Sequence, residues 1–289
     1  MHRWAKVLWA GMLAMALAGV ALSVRAAPPD MKVGLVTRDK VALRAAPRTS
    51  AAGQTLLWRG EMLEIRGARG DYLQVWDHHR ERGGYVHATL LMPVSADAAE
   101  APRLLALLGY VSEQPGSEPL GLALAAASIQ ALPAAALRGA QGAEVLDAIG
   151  ALAERLAARA SGGAGDALLT AHLDVAQRQG VRFVSREHGG RTTVCYEGDA
   201  WRRLLAMPVA TPEQRARAAL ALTRADCLEA PARQIEREAL DEGLADVLER
   251  ADAPALAPHW RARLATRQAE VWSRIAFARA QRGDDAPAR

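Results

Sequence analysis

Cys195 and Cys227 are the only thiols in this chain of 289 residues. A thiol attacks a substrate only as a thiolate, and it needs a neighbouring base to become one. Asp226 precedes Cys227, and downstream of it only His259 could act, in Pro258-His259-Trp260 at an expected helix start. A structural disulfide between Cys195 and Cys227 is the preferred reading, with no catalytic residue assigned. Asp77-His78-His79-Arg80-Glu81, with His87 nearby, has the residue types of a metal site. Adjacent histidines on one loop seldom aim at one ion, and no second pair has ligand spacing, so a solvated turn without metal is expected. Trp58, Tyr72 and Trp76 are the ligand-binding candidates, since an aromatic ring can stack on a sugar or peptide while its polar edge stays wet. Tyr72 follows the Gly70-Asp71 turn and is the one expected to be exposed. Trp76 and Tyr85 are expected to serve mainly in packing. Glu236, Glu238, Asp241 and Glu242 sit on expected surface helices and read as a solvated face. No phosphate loop, dinucleotide fingerprint, nucleophile elbow or His-Glu-x-x-His motif occurs, and no cofactor is expected.

What these residues can meet depends on where the chain is sent. His2, Arg3 and Lys6 precede the apolar run Val7 to Leu22, and Val24-Arg25-Ala26 puts small residues at the two positions needed before a cut. That is the pattern of a secretory signal peptide, residues 1–26, with cleavage expected after Ala26 and the product in the periplasm. The alternative is a membrane anchor formed by residues 7–24, which is short for a span of about 20 residues. No later stretch is apolar enough to cross a bilayer. The formal charge is +4, and Arg3, Lys6 and Arg25 account for three of the four excess positive charges. The mature chain is then nearly neutral, and no nucleic-acid partner is expected. Export also leads to a compartment where paired cysteines are oxidised.

Three zones follow. Residues 33–93 carry five or so short strands: Val33 to Thr37, Val41 to Arg44, Gln54 to Leu57, Met62 to Arg66, Tyr72 to Trp76 and a closing Gly84 to His87. Gly67 to Asp71 is expected as a tight turn and Asp77 to Gly84 as a polar loop. Short alternating strands with regular turns suggest a small barrel. Residues 94–102 (VSADAAEAP) read as a linker. Residues 103–282 read as mainly helical, dominated by Ala, Leu, Arg and Glu. Val145, Leu146, Ile149, Leu152 and Leu156 fall on one helical stripe. Asp166 and Thr211 read as N-caps, the second in a Thr211-Pro212-Glu213-Gln214 capping box. Residues 181–197, around His188-Gly189-Gly190, carry a hairpin signal. Residues 283–289 read as a disordered tail.

Four segments of the first zone resemble elements of the bacterial SH3-like domain, in the same order. They are Val41 to Pro47, Leu57-Trp58-Arg59-Gly60-Glu61, Gly70 to Val75, and Gly84 to Leu91. Ala stands where the family has Gly or Ser before Pro47, and Tyr replaces Trp at two places. The resemblance covers about a fifth of the chain. It implies an SH3-like barrel and, for its ligand, peptidoglycan or an envelope protein. Such domains also accompany cysteine peptidases whose nucleophile lies in Asp-Cys-Ser-Gly. Asp226-Cys227 matches the first half of that motif, and Leu228-Glu229 does not match the second. The expected architecture is therefore a small all-β SH3-like barrel followed by a mainly α domain with one hairpin. The expected function is non-enzymatic binding or scaffolding in the periplasm. The alternative is a cell-wall hydrolase, or a helper of one, with its site hidden in the helical part.

Overall fold

The structure is a computed structural model and describes residues 32–162, 166–188, 190–229, 231 and 233–282. The expected signal peptide, the alternative anchor and the expected tail lie outside the described residues. Among the described residues no helix is long and apolar enough to cross a membrane.

The chain opens with seven antiparallel strands: β1 (Val33–Val36), β2 (Val41–Arg44), β3 (Gly53–Leu57), β4 (Met62–Arg69), β5 (Tyr72–Asp77), β6 (Arg82–His87) and β7 (Leu91–Val94). Their order in the sheet is β3-β2-β6-β5-β4-β1-β7. Side chains alternate across each strand, and one face of every strand feeds one apolar cluster. Val36, Val41, Leu43, Leu57, Leu63 and Val75 belong to it, with Val86 and Leu91. The sheet curls around that cluster, but the expected closed barrel is not formed as a continuous ladder. Among the described residues no pairing joins β3 to β7, and β2 meets β6 through the single pair Arg44 and Tyr85.

Two expected loops are shorter than the sequence suggests. Strand β4 runs on to Arg69, with a bulge between Ile65 and Gly67, so the turn shrinks to Gly70-Asp71. Asp77 pairs with Arg82, and Trp76 with Gly83, leaving only residues 78–81 as the β5–β6 loop. A buried aspartate and two glycines hide the period of two there. Asp77 is buried because it accepts the backbone N–H groups of His79 and Arg80 and so shapes its own loop.

A 3₁₀ turn (Ala98–Glu100) leads into the helices. They are α1 (Ala101–Ser112), α2 (Glu118–Ala131), α3 (Ala134–Leu137), α4 (Ala140–Gly162) and α5 (Ala167–Arg178), then α6 (Asp199–Leu205), α7 (Pro212–Leu222), α8 (Gln234–Ala251) and α9 (Pro258–Gln281). Between α5 and α6 lies the hairpin β8 (Phe183–His188) and β9 (Arg191–Tyr196). Both expected caps form. Asp166 accepts from the Leu168 N–H, and Thr211 and Gln214 close a reciprocal capping box. On α4, Val145, Leu152 and Leu156 are buried while Leu146 and Ile149 pack at the margin. Gly150 is needed because a Cβ there would stand 2.3 Å from the Trp201 ring.

The described residues from Lys32 onward form one compact unit. Leu35 of β1 and Val94 of β7 sit in the same cluster as Leu104 of α1, Leu122 of α2 and Leu156 of α4. The β3–β4 turn approaches α2 so closely that a Cβ on Gly60 would fall 2.4 Å from the Pro119 carbonyl oxygen, and Gly60 has φ +85. Only glycine meets both demands. A second cluster, with Leu244, Leu248, Leu264, Val271 and Ile275, holds α7, α8 and α9 together.

Candidate functional site

Tyr72, Gln74 and Trp76 alternate on the outer face of β5, opposite His87, Tyr85 and Gly83 of β6. The Trp76 ring lies across Gly83, where an added Cβ would meet it at 3.3 Å. Arg66, displaced outward by the β4 bulge, sets its guanidinium 4.5 Å from the Trp76 ring centroid, a cation–π contact. Arg66 and His78 both bond Glu64, at 2.9 and 2.8 Å. The Arg66 hydrogen bond is the main reason the Glu64 carboxyl sits below its ordinary pKa. This face is a platform of aromatic rings and a held cation.

One aromatic is placed differently from expectation. Tyr72 is 9% exposed, not open to solvent. Its ring meets His87 edge-on at 5.2 Å between centroids, and its hydroxyl reaches Thr49 at 3.4 Å. Trp58 is half-buried in the turn that docks on α2, away from the Tyr72–Trp76 face. Trp76 and Tyr85 are half-buried. Among the described residues no group of three or more His, Cys, Asp or Glu could hold a metal ion, the 77–81 loop included. Cys195 of β9 and Cys227 are joined as a disulfide, with Cα atoms 5.6 Å apart. The bridge ties the hairpin to the 3₁₀ turn Ala225–Cys227 and fits an oxidising compartment.

Where the sheet meets the helices, buried carboxylates are paired with basic side chains, although Arg59 Nε, Arg155 Nη2 and His172 Nδ1 are buried without a partner among the described residues. His172 of α5 bonds Asp39 at 2.8 Å, and Asp39 pairs with Arg59. Arg80 donates both outer nitrogens to Glu61, at 2.9 and 3.1 Å, and Arg178 of α5 adds a third bond at 3.1 Å. Those Glu61 bonds are the main reason the Arg80 pKa rises. Glu118, at the start of α2, is fully buried between Arg155 (2.8 Å) and Arg159 of α4, and it also accepts the Gly116 N–H. Burial alone would raise its pKa. The backbone N–H groups and the two guanidinium charges outweigh burial and hold it below the ordinary value.

A cleft of about 650 Å³ opens between α4, α7 and α9. Trp260, Arg263 and Arg267 project into it from successive turns of α9, and Arg217 and Leu220 from α7. Trp201 and Glu154 form its inner wall. Arg224 bridges Glu154 (2.5 Å) and Asp226 (2.6 Å), Arg217 bonds Asp147 at 2.7 Å, and Arg267 pairs with Glu270 at 3.0 Å. Arg263 lies 5.0 Å from the Trp260 ring and, among the described residues, has no carboxylate partner. Burial raises the pKa of Glu154 and of Asp147, which Arg224 and Arg217 only partly offset. Asp226 is pulled the other way, first by its hydrogen bond to Arg224. The Trp201 indole N–H is buried without a bonded acceptor, yet it faces Glu154 closely enough to favour the carboxylate.

Of the cleft residues, only Asp226, beside Cys227, and Trp260, beside His259, fall in segments that the sequence marks for possible chemistry. The available signal is weak: Trp260, Arg263 and Arg267 share one helical face. No protein-family model, curated protein or solved structure matches the chain.

Proposed function

We propose that residues 33–93 are an SH3-like module and that the chain is a non-enzymatic binding or scaffold protein of the bacterial periplasm. Its ligand is peptidoglycan or an envelope protein, taken on the outer face of β4, β5 and β6. The observation that carries this reading is Trp76, a half-buried ring spread over Gly83 with Arg66 stacked against it. Such a platform offers a sugar or peptide an apolar face and a donor side by side. The opposite end of the sheet is committed to the helices through Gly60 and Glu61, which leaves this face for a partner.

The hydrolase alternative draws on Glu154 and Asp226, two carboxyls in one cleft with pKa values moved apart. Against it, each gives its closest polar contact to the same arginine. The test is sedimentation of the mature protein with purified sacculi, with released fragments measured in the supernatant. Binding without release is expected. Trp76→Ala and Arg66→Ala should each weaken binding about tenfold, or about 1.4 kcal/mol. Release of fragments, or full binding by both variants, overturns the reading.

A further inference from the structure

We propose that the cleft between α4, α7 and α9 is a second binding site, for a small ligand bearing a carboxylate. The proposal rests on the envelope reading only for the source of that ligand, not for its chemistry. At about 650 Å³ the cleft is within the size range of small-molecule sites, and it lies at a junction between two packed cores, a common place for one. Its arginines divide into two kinds. Arg217, Arg224 and Arg267 are each held by an acid of the protein. Ion pairs that only staple helices together would end there. Arg263 stands at the same cleft, exposed, held only against the Trp260 ring. It is the cation left for an incoming anion.

The carboxylates of the remaining wall are already paired, Glu154 and Asp226 with Arg224 and Glu270 with Arg267. Trp201 forms the inner wall, with its buried indole N–H facing Glu154. Thr266 also lines the cleft, with its hydroxyl proton given to the Ala262 carbonyl. Leu220, Ala151 and Ala221 supply a short apolar strip. A guanidinium matches a carboxylate as a fork, which makes Arg263 selective for a planar anion. The disulfide has a role here too. By pinning the 3₁₀ turn to β9 it fixes Asp226, and Asp226 fixes Arg224 against Glu154. The wall is thus set before the ligand arrives.

In an envelope protein, two sources carry this chemistry: soluble disaccharide-peptide fragments of the wall, and the free stem peptide without sugar. Calorimetric titration of the full mature protein with each separates them. Saturable binding of at least one is expected, weakened tenfold or more by Arg263→Ala and retained by Arg263→Lys to a lesser degree. Trp76→Ala should leave this titration unchanged, because it lies on the sheet. Sacculus binding is measured on the same preparations. Sacculi bound with neither fragment bound would overturn the cleft and keep the sheet reading. Fragments bound with sacculi ignored would do the reverse. Fragment binding indifferent to Arg263→Ala also overturns the cleft. Circular dichroism and an unchanged melting temperature confirm that the variant, altered at an exposed position, is folded.

Discussion

Glu118 and Glu154 are both glutamates tied to arginine on or beside α4, yet the protein treats them in opposite ways. Glu118 is enclosed at the sheet–helix seam and accepts bonds from two arginines and a backbone N–H, so its charge is favoured. Glu154 stands at an open cleft and shares one arginine with Asp226, so burial wins and its charge is disfavoured. Arg224 itself is held charged first by its hydrogen bond to Asp226, and its attraction for Glu154 offsets burial only in part. The number of donors around a carboxylate, not the presence of an arginine, decides the outcome. By that criterion Glu118 is a satisfied carboxylate and Glu154 is not, although buried nitrogens without partners among the described residues occur in both places, Arg59 Nε, Arg155 Nη2 and His172 Nδ1 at the seam and Trp201 Nε1 at the cleft.

A large effect should come from breaking the Glu118 side. Glu118→Gln leaves Arg155 and Arg159 facing a neutral group. Removing one partner of a buried ion pair costs about 3–5 kcal/mol, and the lower end applies, because the two arginine side chains are 35% and 32% exposed and recover water. Urea unfolding at pH 7 measures it. The contribution has a definite pH sign. A folded-state pKa below the ordinary 4.5 means stability present above that value and lost as pH falls through the lowered one. Variant and wild type should therefore converge in acid. A loss under about 1 kcal/mol at pH 7 would place Glu118 with Glu154 and dissolve the contrast.

Next comes the disulfide, which braces the cleft but not the seam. Cys227→Ser should remove about 2–5 kcal/mol, as expected for a bridge closing a loop of 32 residues. It should lower the melting temperature while leaving sacculus binding by the sheet unchanged. Thiol labelling of periplasmic protein under denaturing, non-reducing conditions checks the premise. Two free thiols there would contradict it.

Much of the frame was readable from residue order, and the exceptions have physical causes. Capping chemistry is local, so Asp166 and Thr211 could be placed before any tertiary contact was known. The Cys195–Cys227 pairing followed from there being two thiols and an expected oxidising destination. Strand ends around Asp77 and Gly83 were missed because a buried, loop-shaping aspartate and ring-covered glycine break the alternation that marks a strand. Tyr72 was expected outside, but its cross-strand partner His87 covers it. The cleft was beyond reach for another reason. It is assembled from α4, α6, α7 and α9, with Ala151 and Glu270 more than a hundred residues apart in sequence, and arginines on helices look alike until the acids opposite them are known.

The smallest effect is the most discriminating. Glu154→Gln keeps the shape of the side chain and removes the charge that burial opposes, while Arg224 retains Asp226. At pH 7 the variant should stay within about 1 kcal/mol of the wild type, and it can be the more stable of the two. The sign follows from the direction of the pKa. Above the ordinary value of 4.5, the folded state holds its proton more tightly than the unfolded chain. The contribution of Glu154 to stability is then complete below 4.5 and is lost as pH rises through the higher folded value. Glutamine mimics the protonated form and does not lose it. The difference between variant and wild type should therefore move in favour of the variant from pH 4 to pH 7, opposite to the course expected for Glu118→Gln. Unfolding curves at pH 4, 5.5 and 7 read both on one axis. If the two variants instead shift in the same direction, Arg224 is satisfying Glu154 as fully as Arg155 and Arg159 satisfy Glu118, and the cleft is as closed electrostatically as the seam.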